Sequence, residues 1–432
     1  MSDSATANGR RRQSRSARVV VLGGGFGGLE AAFDLRMLAG ERARITLVSD
    51  QQDFLFKPNS IYVPFGLDPE RLKVPLTRAV RRPRIDFLHA KAHEIDPDAR
   101  RVHLDGQTLP YDFLIVATGS GMRAEEIPGL AEHAISTWTP NDMLRLRDGF
   151  QELVDAARRG PGRRRVLFLV PPNNKCAGPL YEIVLMLETW LRRKGARDAT
   201  EIVWSTYEET YIQAFGPRLH EVVAGEFERR GIDGHHGWAV DRVEADAATY
   251  TNGERLGFDL LVGFPPYVAA TPFAGLAADD RGFLTTDLAS RRLVGHPEIF
   301  AVGDAGDFPV KQAFLAFLQA DAAAAHVASE LVGGAPAQSF DPVSMCVMEQ
   351  FDKATFAQVP LRLTGDPSRP VEVRPDANGA YRVGSSIPWR AGKKMLGLSV
   401  PWRFRHGRPF HGGLFWRGMD TGLKAMSAVL SR

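Results

Sequence analysis

An apolar strand that runs straight into a glycine-rich turn leaves a chain few folds to choose from. Residues 18–32 (Arg-Val-Val-Val-Leu-Gly-Gly-Gly-Phe-Gly-Gly-Leu-Glu-Ala-Ala) are such a stretch. Residues 19–22 are apolar and largely β-branched, the composition of a parallel strand buried on both faces. Gly23, Gly25 and Gly28 follow at the spacing G-x-G-x-x-G. The first permits the tight turn, the second lets a pyrophosphate approach the backbone, and the third lets the next helix pack closely on the strand. That helix, expected from Gly27 towards Met37, would aim its free N–H groups and positive dipole end at the phosphate. A second apolar strand over 45–48 ends in Ser49 and Asp50, about 20 residues past the turn, where a ribose-binding polar residue is expected. Together these predict a βαβ unit that binds a dinucleotide.

At 432 residues the chain exceeds what one core holds and suggests two or three domains. Its net charge of +3 excludes nucleic-acid binding by bulk charge. The charge is uneven, however. Residues 389–432 carry nine Lys or Arg against one acid, Asp420, together with three of the seven tryptophans. Two cysteines, Cys176 and Cys346, are too few for a disulfide scaffold, which leaves buried small residues or a reactive pair. Residues 1–17 are Ser- and Arg-rich and read as a disordered arm. No apolar run has the length of a signal-peptide core or of a membrane span, so folding in the cytoplasm is expected.

Further along, 54–58 (Phe-Leu-Phe-Lys-Pro) reads as a loop leaving the sheet, and short strands are expected over 86–90 and 101–104. The run 113–119 ends in Ala-Thr-Gly, where Thr118 and Gly119 leave room for close approach of a ligand. Five arginines between 158 and 165 mark a solvated connection into a second α/β unit. That unit has a strand over 166–170, a helix over 180–193 and a strand over 201–205. It repeats the opening architecture without the fingerprint, since Pro171, Asn173 and Cys176 stand where glycines would be needed. A strand from His296 closes on Gly303 and Asp304, a carboxylate placed to accept from a ribitol or ribose hydroxyl. A long Ala-rich helix over 310–331 follows, beginning Lys311-Gln312, and then strands over 354–363 and 372–383.

The fingerprint, Ala117-Thr-Gly119 and the Gly303-Asp304 strand end together resemble the flavoproteins with two dinucleotide-binding domains. Within them, Cys176-Ala-Gly-Pro-Leu-Tyr-Glu182 is similar to the Cys-x-Gly-Pro-x-Tyr-Glu of the sulfide:quinone oxidoreductases, which are related to the type II NADH dehydrogenases. Cys346 sits where that family carries a second redox cysteine. The tail with Trp389 and Lys393-Lys394 resembles the family's membrane-facing end, whose lysine lies near the quinone. The resemblance runs from about residue 18 nearly to the C-terminus and departs in one respect: 119–138 lacks the third cysteine many members carry.

It implies an α/β fold with two Rossmann-like domains and a C-terminal membrane-facing region. The FAD-binding domain would comprise 18–125 and 290–335, the second domain 126–289 with Cys176, and the C-terminal region 336–432 with Cys346. FAD would be held by Gly23, Gly24, Gly25, Gly27, Gly28, Ser49, Asp50, Ala92, Thr118, Gly119, Gly303, Asp304 and Lys311. Cys176, Cys346 and Glu182 would be catalytic, with Lys393 or Lys394 at the quinone. The implied partners are sulfide or a small thiol or persulfide donor, a quinone and the cytoplasmic face of a membrane, with self-association left open.

Read on their own, several of these residues keep two meanings. Lys175 and the following helix N-terminus favour a thiolate at Cys176, a good leaving group in disulfide exchange, but free cysteines are also commonly buried and inert. Glu182 serves either as a proton relay, with a pKa raised by burial, or as charge compensation at a helix N-terminus. Lys311 is oddly placed for the dipole of its helix, which hints at a ligand, although a solvated lysine fits equally. The aromatic and basic residues of 389–430 suit either an anionic lipid interface or a basic helix packed on the core. A type II NADH dehydrogenase would need a second glycine fingerprint at 171–178, a redox sensor would bind flavin without turnover, and a soluble flavocytochrome relative would need export.

Overall fold

The computed structural model describes residues 16–160, 162–377 and 379–431. The arm expected over 1–17 therefore lies outside the described residues up to position 15, and Ala17 already opens the first strand. That strand, Ala17–Leu22, sits inside a six-stranded sheet in the order Arg292–Leu293, His296–Ala301, Phe113–Val116, Ala17–Leu22, Ala43–Ser49, Asp86–His89. All neighbours pair in parallel except the short first strand. Val19, Val21 and Leu22 are almost fully buried, as a strand covered on both faces must be. The strand from His296 slots in beside Phe113–Val116, so this sheet is assembled from two stretches of chain about 180 residues apart.

One face of the sheet is covered by two helices. Phe26–Ala39 and Ala313–Val332 pack on each other through small residues, Ala31 and Ala32 on one and Ala320, Ala323 and Ala324 on the other. The Ala-rich helix starts three residues later than its composition suggests. Gln312 is its extended N-cap residue, and the backbone N–H of Lys311 donates to the Lys175 carbonyl at 3.2 Å. Residues 54–58 differ from expectation too. Asp53–Leu55 is a short strand paired with Lys73–Pro75, and a 3-10 run Lys57–Phe65 follows. The cause is aromatic burial: Phe54 packs edge-on against Phe26 and Phe404, with ring centroids 4.9 and 5.0 Å apart.

A second, wholly parallel sheet runs Ala134–Ser136, Leu260–Gly263, Arg164–Val170, Thr200–Thr206, Asp233–His235. From the carboxyl end of its central strand the chain passes through 171–177 into the helix Gly178–Lys194. The architecture is that of two Rossmann-like units, which is the two-domain flavoprotein fold.

Beyond them, Val343–Glu349 pairs antiparallel with Ala354–Leu363, which carries Val371–Val373 and Arg382–Ser386 on its other side. The strand expected over 372–383 is thus two: Val371–Val373 stops just before Pro375, which lacks a ladder donor, and pairing resumes at Arg382. Two helices, Ile387–Arg405 and Gly413–Leu430, end the chain. No helix among the described residues is long and apolar enough to cross a membrane.

Candidate active site

The carboxyl ends of the first sheet open on a cavity of about 800 Å³, within the size range of pockets that take a drug-sized ligand or cofactor. Its floor is the glycine turn. Gly23 has φ +107°, and a Cβ there would stand 2.2 Å from the Ala117 carbonyl oxygen. A Cβ on Gly28 would stand 1.9 Å from the Gly23 oxygen, so Gly28 brings the helix onto the strand and does not itself line the cavity. Gly25 is different: a Cβ there would meet nothing within 4 Å. It caps Phe26–Ala39 without any side-chain hydrogen bond, which leaves the first-turn N–H groups for a ligand.

Gly24, Gly27, Ser49, Asp50, Ala92, Thr118, Gly119, Gly303, Asp304 and Lys311 all line the same space. Ser49 is buried, its Oγ accepting from the Gln51 N–H at 3.1 Å, while Asp50 is exposed at the rim. The Asp304 carboxylate accepts from Ser120 Oγ at 2.9 Å. A glycine cradle open at Gly25, uncapped helix N–H groups and carboxylates at two strand ends fit the phosphates and hydroxyls of FAD.

Two lysines add positive potential. Lys311 is buried, donates from Nζ to the Gly306 carbonyl and lies 3.7 Å from the Phe283 ring centre; burial lowers its pKa to about 7 against the attraction of Asp304. Lys57 lies 3.3 Å from the Trp138 ring centre, and burial lowers its pKa to about 8, again opposed by Asp304. Lys57, Trp138 and Ser120 escaped the sequence reading. Ser120 directly follows Ala-Thr-Gly, which was a usable signal; Lys57 stood in a segment taken for a plain loop.

Cys176 and Cys346 face the cavity from opposite units, one in the loop before Gly178–Lys194, the other on Val343–Glu349. They are free thiols and are not close together. The 171–177 loop is held by its own bonds. Asn174 Oδ1 accepts from the Cys176 N–H at 3.0 Å, Asn174 Nδ2 donates to the Phe264 carbonyl at 2.9 Å, and the Tyr267 N–H donates to the Asn173 carbonyl at 3.0 Å. The thiolate expected at Cys176 is not favoured. Burial pushes Cys176 up to about 12, with a further rise from Cys346, and the Gly178 N–H offsets only part of it. Lys175 is itself part-buried, which lowers its pKa, and it is not among the groups that offset the rise at Cys176. Cys346 is likewise pushed up to about 12 by burial.

Glu182, also buried, accepts at Oε2 from Lys393 Nζ at 2.6 Å and from the Glu349 N–H at 2.8 Å. Lys393 donates further to the Val347 carbonyl at 2.8 Å. Burial raises the Glu182 pKa, and the Lys393 charge opposes the rise. Lys393 lines the cavity, whereas Lys394 is exposed and does not. Behind this pair lies Glu349, fully buried, which accepts from Arg390 Nε at 2.7 Å and from the Tyr62 hydroxyl at 2.9 Å.

A family model described as pyridine nucleotide-disulphide oxidoreductase matches residues 17–162. The sulfide-quinone reductase of Aquifex aeolicus (strain VF5) is 34% identical over 238 residues, which are 54% of this chain and 53% of that protein. A type II NADH:quinone oxidoreductase of Mycobacterium tuberculosis is 27% identical over 311 residues, 66% of each chain. The matched segments thus span about half and about two thirds of those relatives' lengths. Among solved structures, the sulfide:quinone oxidoreductase of Aquifex aeolicus superposes with a TM-score of 0.82 at 24% identity, covering 94% of this chain and 96% of its own. The chain is thus similar in sequence to a sulfide-quinone reductase over about half its length, and it shares the fold of a sulfide:quinone oxidoreductase over nearly all of it.

Proposed function

We propose that this chain is an FAD-dependent oxidoreductase that oxidises sulfide, or a small thiol or persulfide, and reduces a membrane quinone. The reading is carried by one observation: the dinucleotide cradle, both cysteines and the Glu182–Lys393 pair share a single cavity. When bound, FAD supplies two-electron acceptance and release. The glycine turn and its helix N-terminus take the pyrophosphate, Ser49 and Asp50 take the ribose, and Asp304 takes a hydroxyl of the ribityl chain. Ala92, Thr118, Gly119 and Lys311 complete the wall.

Cys176 and Cys346 receive the donor. To bridge, the two sulfurs, which stand apart as free thiols, must approach one another and lose two protons and two electrons, with the quinone as the final oxidant. Hydrosulfide attacking the bridge forms one new S–S bond, giving a cysteine persulfide. The bridging S–S bond breaks, and the other cysteine leaves as thiolate. At the far wall, quinone reduction consumes two protons with two electrons. Lys393, rather than Lys394, stands where it could orient the quinone, and burial leaves Glu182 with the raised proton affinity of a relay.

The quinone would enter from lipid. Ile387, Leu398, Trp402, Leu414, Phe415 and Val429 project from the two tail helices, with Lys394, Arg405, Arg417 and Lys424 exposed among them. Such a face suits peripheral binding at the cytoplasmic surface of a membrane, where each basic residue contributes about 1 kcal/mol.

The test is anaerobic flavin reduction on the purified, FAD-loaded protein. Sulfide alone is expected to bleach the visible flavin band, with the effect lost in Cys176→Ser and Cys346→Ser. Reoxidation by a soluble quinone analogue should fall at least about tenfold in Lys393→Met and hold in Lys394→Met. Bleaching by NADH and not by sulfide would overturn the proposal.

A further inference from the structure

Away from the cavity, the two helices that cover the first sheet meet through alanines and the Phe26–Phe317 ring pair, yet at one level they bury acids against each other. Glu30 on Phe26–Ala39 is 0% exposed and Asp321 on Ala313–Val332 is 1% exposed. A third group arrives from the segment between the tail helices: His411 Nδ1 lies 2.5 Å from Asp321 Oδ2. One potential ligand atom from each of the three lies within 4.8 Å of the others. The backbone N–H groups of Phe410 and His411 donate to the two Glu30 oxygens at 2.6 and 2.9 Å, which fixes the segment against the helix.

The polar groups here are not all satisfied. The Glu30 and Asp321 carboxyls approach closely enough to share a hydrogen bond, an arrangement that a shared proton or a bound cation relieves. Asp321 Oδ1 is buried with no donor, and His411 Nε2 is also without a partner. Asp34, one turn beyond Glu30, adds further negative potential, as does Asp420 near His411. Arg403 is the near cation; its charge offsets part of that of Glu30, while its N–H groups donate to the Pro409 and Gly412 carbonyls and not to the cluster. Buried carboxylates persist when they are paired, protonated or bound to a metal.

We infer that Glu30, Asp321 and His411 form a binding site for a zinc-class divalent cation that clamps the tail onto the first sheet's helices. One imidazole and two carboxylates match the hard-to-borderline ligand sets that zinc accepts, and the imidazole disfavours magnesium and calcium. Two ligands each about 2.1 Å from a tetrahedral ion lie about 3.4 Å apart. The present span of at most 4.8 Å therefore needs only a modest closing, with the His411–Asp321 contact opening slightly to admit the ion. The three ligands are distant in sequence, so the cation would add a cross-link to the backbone hydrogen bonds that already hold the tail segment against Glu30. Phe410, next to the histidine ligand, lines the main cavity, so the clamp also steadies one of its walls.

The experiment uses the full-length, untagged, FAD-loaded protein, stripped with chelator, incubated with zinc chloride and desalted. Elemental analysis should find about one zinc per chain in the unmodified protein and at least about tenfold less in Asp321→Asn and His411→Gln. Cys176→Ser is the control and should retain the metal. The unmodified protein should also melt at a higher temperature with zinc and not with magnesium, a readout that holds even if a variant fails to fold. Zinc retained equally by the Asp321 and His411 variants, or lost in Cys176→Ser, would overturn the assignment. Failure of the unmodified protein to hold or be stabilised by zinc would also overturn it and leave protons as the neutralising charge.

Discussion

A thiol whose pKa is near 12 carries almost no thiolate at neutral pH, and this is the position of both cysteines. Their chemistry therefore depends on what changes their surroundings, namely bridging, a bound donor or cofactor, or loss of burial. At pH 8, alkylation of Cys176 and Cys346 by iodoacetamide should run on the order of a thousandfold slower than for a free thiol of pKa about 8.5. Mass spectrometry of labelled peptides checks this, and labelling at free-thiol rates would contradict it. The sign of the stability effect follows from the same shift. A folded-state pKa raised above the ordinary thiol value stabilises below that value, so the contribution is lost as the pH climbs from about 9 towards 12. The sequence could show a lysine before Cys176 and a helix after it. It could not show that the lysine would be buried as well, nor that Glu182 and Asp304 would share the neighbourhood.

Elements that were legible are those whose signal is local. Parallel strands buried on both faces read as continuous apolar runs, and so 19–22, 45–48, 113–116 and 166–170 all fall within observed strands. The glycine turn was legible because its residues are set by the turn itself. Segments 54–58, 310–312 and 372–383 were read less well, since their shape comes from Phe404, Lys175 and a proline turn. The turn offers a clean separation of fold from ligand. Gly28→Ala must force a Cβ into the Gly23 oxygen and should cost about 1–3 kcal/mol or more, lowering both melting temperature and flavin content. Gly25→Val points into open space from a backbone with φ −85°, so it should melt normally and bind little flavin. Among the tail helices, Leu398→Glu with Leu414→Glu and Phe415→Glu should leave far-UV circular dichroism unchanged and abolish co-sedimentation with anionic vesicles. Retained sedimentation would mean that this face is not the lipid surface.

At the scale of the whole molecule, the cavity is a junction rather than the property of one unit. Its glycine cradle comes from the first fifty residues, Cys176 from the loop that leaves the second sheet, Gly303 and Asp304 from the turn after the returning strand, and Cys346 and Lys393 from the C-terminal region. A fragment ending at residue 289 lacks the strand His296–Ala301 and the helix Ala313–Val332, and with them one side of the first sheet and its Asp304. Such a fragment should therefore be recovered without flavin and show no cooperative melting of the first sheet, whereas the full chain should hold flavin and melt cooperatively.

That returning strand also sets a clock. Ribosomes add about 5–20 residues per second, so roughly 10 to 35 seconds separate the emergence of Phe113–Val116 from that of its neighbour His296–Ala301. Throughout this interval the edge of Phe113–Val116 has no mate, and the nascent chain must shelter an apolar seam while the entire second sheet is made. On the proposed reading, cofactor insertion would belong to the end of biosynthesis, and a shortage of flavin would be met by a nearly finished polypeptide, not by an early, cheaply discarded one.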